Sequence, residues 1–202
     1  MTKILKKVRD ALAFLFLFAV LLAFNRPFVV VCVIISVLIH EGGHALALLC
    51  CGKRVHGIEL CTAGAKLRYD GQLSYQQELF VLACGPLCNF TVGVIAFLFW
   101  SLGDYPVIFG ITNFFYALTN LLPLPSYDGE RIVRILLSIR FGAGACERWI
   151  GRIGFFLRCV LLFLSLYLIF YFDIAYQVFF CIFISFLPDL KEKRDFRQSL
   201  RF

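Results

Sequence analysis

Six stretches of the chain are almost unbroken in apolar residues: about 11–24, 28–50, 79–102, 106–124, 154–171 and 175–188. Uninterrupted runs of this kind, at or near the ~20 residues that cross a hydrocarbon core of ~30 Å, predict membrane-spanning helices. The first and last hold 14 residues each. As helices they cover only ~21 Å, so they cross by thinning the bilayer locally or enter it without crossing. One polar segment has a different rhythm. In ERIVRILLSIR, residues 130–140, Ile132, Ile135, Leu136 and Ile139 recur at helical spacing with Arg131 and Arg134 between them, the pattern of a helix lying in the membrane interface.

Composition agrees with the pattern. Of 202 residues, 61% are hydrophobic and 16% charged, against about 45–50% and ~25% in a soluble domain. The expected fold class is an all-α polytopic membrane protein of about six transmembrane helices. No segment is long enough for a separate soluble module, so residues 1–202 read as one domain. Nine cysteines, at 32, 50, 51, 61, 84, 88, 146, 159 and 181, form no C-x-x-C, and most lie in apolar runs where free cysteine packs as a small hydrophobe.

The net charge of +7 is distributed unevenly. The N-terminus, residues 51–78, residues 125–153 and the tail from 189 contain four, four, five and five lysines or arginines, 18 of the 20 present. With six spans these four segments share one face, which the positive-inside rule makes cytoplasmic. An odd number of spans would place the basic tail, with Lys191, Lys193, Arg194, Arg197 and Arg201, on the opposite side. Topology and anionic headgroups of the lipid bilayer thus account for the charge, and no nucleic-acid partner is needed. MTKILKKVRD followed by an apolar run also has the look of a signal peptide. Asn25, Arg26 and Pro27 follow instead of a small-x-small cleavage site, so an uncleaved first span is expected.

Candidate chemistry sits where water is scarce. In ISVLIHEGGHALALL, residues 35–49, His40, Glu41 and His44 interrupt the second apolar run. Ionisable groups in a span are costly and usually functional. Residues four apart share one helix face, so His40 and His44 can hold one zinc ion, and Glu41 can reach a water on it: this is H-E-x-x-H. A catalytic zinc needs a third protein ligand and an open position. Asp104 and Asp173 fall at the opposite face. Asp128 follows the fourth span, beyond helix-breaking prolines, in NLLPLPSYDGERI (120–132), at the same depth as the histidines. Asp128 is the expected ligand; His56 is the competing one, and a helix N-cap is the alternative role for Asp128.

HEGGH, GPLCN at 85–89 and NLLPLPSYDG at 120–129 together resemble the site-2 protease family of intramembrane zinc metalloproteases. The match involves Gly85, Pro86, Asn89, Asn120, Pro123, Asp128 and Gly129, over about residues 30–140. The zinc motif on the second of six spans and the absence of a PDZ insert resemble the sporulation-type branch. No C-terminal CBS domain like that of the branch is expected within residues 1–202, and Tyr127 stands where leucine is common. The resemblance implies a small membrane-associated β-hairpin region within residues 53–78. VHGIEL and AKLRYDGQL, with short alternation and an Asp70-Gly71 turn, are compatible with it, as they are with an ordinary connector.

It further implies a zinc metalloendopeptidase that cleaves a membrane-protein substrate in or beside a transmembrane segment, such as a membrane-tethered transcription or sigma factor. A regulatory membrane partner is also expected. His40, His44 and Asp128 would hold Zn2+, and Glu41 would act as general base and then general acid. Asn89 is a candidate for binding the oxyanion or substrate backbone, with helix adhesion as its alternative, and Asn120 is a candidate substrate-binding residue. The competing functions are a metal-binding or transport protein and a proteolytically inactive homologue that binds a partner. Polar residues gathered at one leaflet weigh against transport, and an intact Glu41 weighs against inactivity.

Overall fold

The computed structural model describes residues 26–61, 64–124 and 127–172. The expected spans at 11–24 and 175–188 lie outside the described residues. The order of elements is α1 (Pro27–Cys50), β1 (Val55–Cys61), β2 (Gly64–Tyr69), α2 (Tyr75–Leu98), a 3-10 turn (Trp100–Leu102), α3 (Asp104–Asn120), α4 (Asp128–Phe141) and α5 (Ala143–Phe172).

The boundaries have local causes. Pro27 opens α1, where its missing N–H costs nothing. At the other end Gly52, with φ of 72°, donates to Leu49 O while Lys53 N donates to Leu48 O, a Schellman stop. A capping box starts α2: Ser74 Oγ accepts from Gln77 N, and Gln77 Oε1 accepts from Ser74 N. Gly103 (φ 115°) precedes α3, and Gly142 (φ 78°) separates α4 from α5. The segment expected to be helical at 130–140 is α4. The expected span at 154–171 belongs to a longer helix, because α5 starts at Ala143, directly after the Gly142 turn.

Among the described residues three helices are long and apolar enough to cross a membrane: α1, α2 and the Arg148–Tyr167 stretch of α5. α3 has 17 residues, ~26 Å of helix against a ~30 Å core. The described residues therefore supply three candidate spans, a shorter apolar helix and a two-stranded hairpin, a mostly helical fold in which three of the six expected spans are seen.

α1, α2 and α3 pack on one another, and α5 packs on α4. Glycines set the closest approaches. A Cβ on Gly93 of α2 would lie 3.3 Å from Gly110 O of α3, and a Cβ on Gly110 would lie 3.3 Å from Gly93 O; small residues let membrane helices meet backbone to backbone. Large apolar side chains such as Leu98, Phe163 and Phe170 remain exposed, as lipid-facing positions should.

β1 and β2 pair antiparallel from Val55↔Tyr69 to Cys61↔Gly64, with an irregularity between Val55 and Gly57 that leaves His56 as the extra residue. Val55, Leu67, Tyr69 and Leu73 pack against buried Ala47, Leu48 and Val81. The hairpin thus sits where α1 ends and α2 begins, one helical turn from His44.

Candidate metal centre

Three elements bring the site together. His40 and His44 project from one face of α1, their rings edge to face with centroids 4.6 Å apart. Asp128 is the first residue of α4. His40 Nε2 lies 3.0 Å from Asp128 Oδ2, His44 Nε2 lies 3.1 Å from the same oxygen, and the two Nε2 atoms are 3.1 Å apart.

Hydrogen bonding on the far side of each ring decides what these atoms offer. His44 Nδ1 lies 2.7 Å from Val81 O, and His40 Nδ1 lies 3.1 Å from Asn89 Oδ1. Both partners only accept, so each Nδ1 carries the proton and each Nε2 presents a lone pair. Two nitrogen lone pairs and a carboxylate oxygen then converge at hydrogen-bond distance, an arrangement that calls for a cation among them. Tetrahedral zinc with ligand distances of ~2.0–2.1 Å separates its ligands by roughly 3.3 Å, within a few tenths of an ångström of the observed triangle. His ligands that donate their second N–H to a carbonyl are the usual arrangement around zinc. The residues fit the ion.

Glycine makes room for this arrangement. A Cβ on Gly85 would lie 2.4 Å from His44 Nε2 and 3.0 Å from His40 Cε1, so the bare backbone of α2 forms the floor under both imidazoles. Gly43 lets α1 approach α2, its imagined Cβ 2.7 Å from Cys84 O. Gly129 seats the start of α4 against the end of α3, where a Cβ would lie 2.1 Å from Leu121 O. Glu41 is half-buried on the turn beside the ligands.

The remaining sequence candidates fall as follows. His56 lies away from the cluster and pairs with Asp70 on the exposed edge of the hairpin, so the structure brings Asp128, not His56, to the two histidines. Asn89 has no exposed surface; its amide nitrogen donates to Ser36 O at 2.8 Å and to Asn113 Oδ1 at 2.9 Å. Asn120, at the end of α3, is nearly buried and donates to Tyr116 O at 3.0 Å. Sequence reading missed Tyr116, whose ring meets that of His40 edge to face at 5.1 Å, and it missed Ser36 and Asn113. Their signal was spacing: Asn113, Tyr116 and Asn120 recur at three and four along α3, and Ser36 precedes His40 by one turn of α1. Among the described residues this is the one group of three metal-ligating side chains close enough to share an ion.

Comparison with known proteins places this geometry. The profile of the family described as Peptidase M50B-like matches residues 12–172. A zinc metalloprotease of Methanocaldococcus jannaschii is 27% identical over 139 residues, covering 65% of this chain and 41% of that protein. Stage IV sporulation protein FB of Bacillus subtilis is 28% identical over 116 residues, covering 53% of this chain and 39% of that protein. The archaeal match covers more of the chain, so the likeness extends to the family rather than to the sporulation branch in particular. The chain spans about two fifths of the length of these curated relatives. Among solved structures, a site-2 protease from Methanocaldococcus jannaschii superposes with a TM-score of 0.61 over 88% of each chain at 22% identity, which is a shared fold.

Proposed function

The chain belongs to the M50B-like peptidase family, and we propose that it is an intramembrane zinc metalloprotease of the site-2 type. The observation that carries this reading is the triangle of His40 Nε2, His44 Nε2 and Asp128 Oδ2, with edges of 3.0–3.1 Å, beside a glutamate that is not part of it. His40, His44 and Asp128 would hold Zn2+. When bound, the ion supplies Lewis acidity towards a peptide carbonyl and lowers the pKa of water towards ~7.

The chain's own residues do the rest. Glu41 is placed to accept a proton from the attacking water and to return it to the leaving amine. Asn89 is assigned to orienting His40, since its amide hydrogens point to Ser36 and Asn113 and it has no exposed surface. Asn120, just ahead of the segment that leads to Asp128, is the residue proposed to hold substrate backbone. A helical substrate hides its peptide bonds, so the substrate is a membrane protein whose segment unwinds locally, and a regulatory protein such as a membrane-tethered transcription or sigma factor fits that description. The hairpin and the site share one end of α1. The skewed distribution of lysine and arginine supports a cytoplasmic position for that end and for both termini.

Glu41→Gln tests the proposal. Protein purified in detergent is assayed for zinc content, and membrane fragments are compared in cells that carry wild type or the variant. The expected outcome is one zinc per chain in both and fragments ending near a span boundary only with wild type. Zinc in both with identical fragments would leave a metal-binding membrane protein and defeat the protease reading.

A further inference from the structure

Three helices meet at a polar contact deep in an apolar bundle. Ser36 of α1, Asn89 of α2 and Asn113 of α3 each have 0% exposed surface. Such groups are costly in a membrane unless every hydrogen bond is made. Asn113 Nδ2 donates to Phe109 O at 3.0 Å. That oxygen only accepts, so the Asn113 amide cannot be turned over, and its Oδ1 must face Asn89. Asn89 Nδ2 spends its two hydrogens on Asn113 Oδ1 at 2.9 Å and on Ser36 O at 2.8 Å. These also only accept, so Asn89 Oδ1 must face His40 Nδ1, 3.1 Å away. Every donor along this line points the same way, from His40 through Asn89 and Asn113 to the backbone of α3, and bonds in such a chain reinforce one another.

We infer that Asn113 is a positioning residue for the metal centre: through Asn89 it locks His40 as the Nδ1–H tautomer and turns the Nε2 lone pair towards the ion. This rests on the reading of His40, His44 and Asp128 as a zinc site. The contrast with His44 is instructive. The ring of His44 is set by a main-chain oxygen, Val81 O, which no side-chain exchange removes. The ring of His40 is set by side chains from two other helices. Asn113 touches neither ion nor substrate and acts only through Asn89.

Two near-isosteric exchanges separate positioning from simple adhesion. Asn113→Leu removes both the acceptor for Asn89 and the donor to Phe109. Asn113→Asp, neutral when buried, keeps both. Zinc affinity is measured by chelator competition, the visible spectrum is recorded after cobalt substitution, and 15N shifts of the His40 ring are read in metal-free protein. Outer-sphere partners of a metal ligand are worth ~10–100-fold in affinity. The expected result for Asn113→Leu is about the lower figure, with an altered cobalt spectrum and a mixed tautomer at His40; Asn113→Asp stays within about threefold of wild type.

Asn113→Leu with a lower melting temperature but unchanged affinity, spectrum and tautomer would overturn the inference and leave only helix adhesion. Should Asn113→Leu not fold, Asn113→Ala is compared with Asn113→Asp, and equal zinc affinities would overturn it as well. A wild-type protein that takes up no zinc would defeat the metal reading itself, while the ring-nitrogen measurement still decides the tautomer.

Discussion

At the scale of the residue, the centre depends as much on what is missing as on what is present. Gly85 has no conformational duty, since it lies within a helix; its role is to leave space for the imidazoles. Gly85→Ala would force His44 Nε2 away from a methyl group placed 2.4 Å from it. The expected outcome is a helical protein by circular dichroism that has lost zinc, with proteolysis of a reporter substrate down at least about 100-fold, as for loss of metal affinity through misplaced ligands. The convergence of His40, His44 and Asp128 was legible in the sequence because its signals are local: a motif on one helix face and an acid after a proline break. Gly85 was legible as a motif letter but not as a reason, because the reason is an atom on another helix. Asn113 was not legible as part of the site, because one asparagine within an apolar run is equally a helix-pairing residue until its partners are known.

At the scale of the element, the hairpin and the helix starts carry the position of Val81, and with it His44. The Ser74–Gln77 capping box fixes where α2 begins, at Tyr75, six residues before Val81. Ser74→Ala should cost ~1 kcal/mol, read as a shift of a few degrees in thermal melting with zinc content unchanged. Leu67→Asp goes further. It places a charge against the cluster of Ala47, Leu48 and Val81, and should undock the hairpin. Proteolytic nicking within 53–73 is the measurement, with weaker zinc retention as the consequence. By contrast, the Arg131–Glu78 pair that links α4 to α2 at 2.7 Å is substantially exposed, and Glu78→Gln should change stability by less than about 1 kcal/mol. Alternation in β1 and β2 was visible in the sequence. The start of α5 was not, since the apolar run that suggested 154 marks a change in composition, whereas Gly142 marks where the helix begins.

At the scale of the whole molecule, the proposed ion joins α1 to the end of the chain segment that leaves α3. Removing it takes away a crosslink between remote parts of the sequence. A ligand bound only by the folded state stabilises it by ~4 kcal/mol at a thousandfold excess over its dissociation constant. Treatment with a strong chelator should therefore lower the melting temperature by several degrees, and added zinc should restore it. His40→Ala, with one ligand gone, should melt like the chelated wild type and gain little from added zinc. An unchanged melting curve on chelation would mean that the bundle of α1, α2 and α3 holds the ligands in place unaided.

In the arrangement proposed, α3 orients one ligand from its middle, through Asn113, and leads by its end to another, Asp128. Anything that slides this rod sideways disturbs both at once, so metal grip should fail abruptly rather than by degrees. An inhibitor seated on its exposed side, over Ile111, Phe115 and Leu118, would then loosen the metal without touching a ligand, and escape mutations would map to that outer surface.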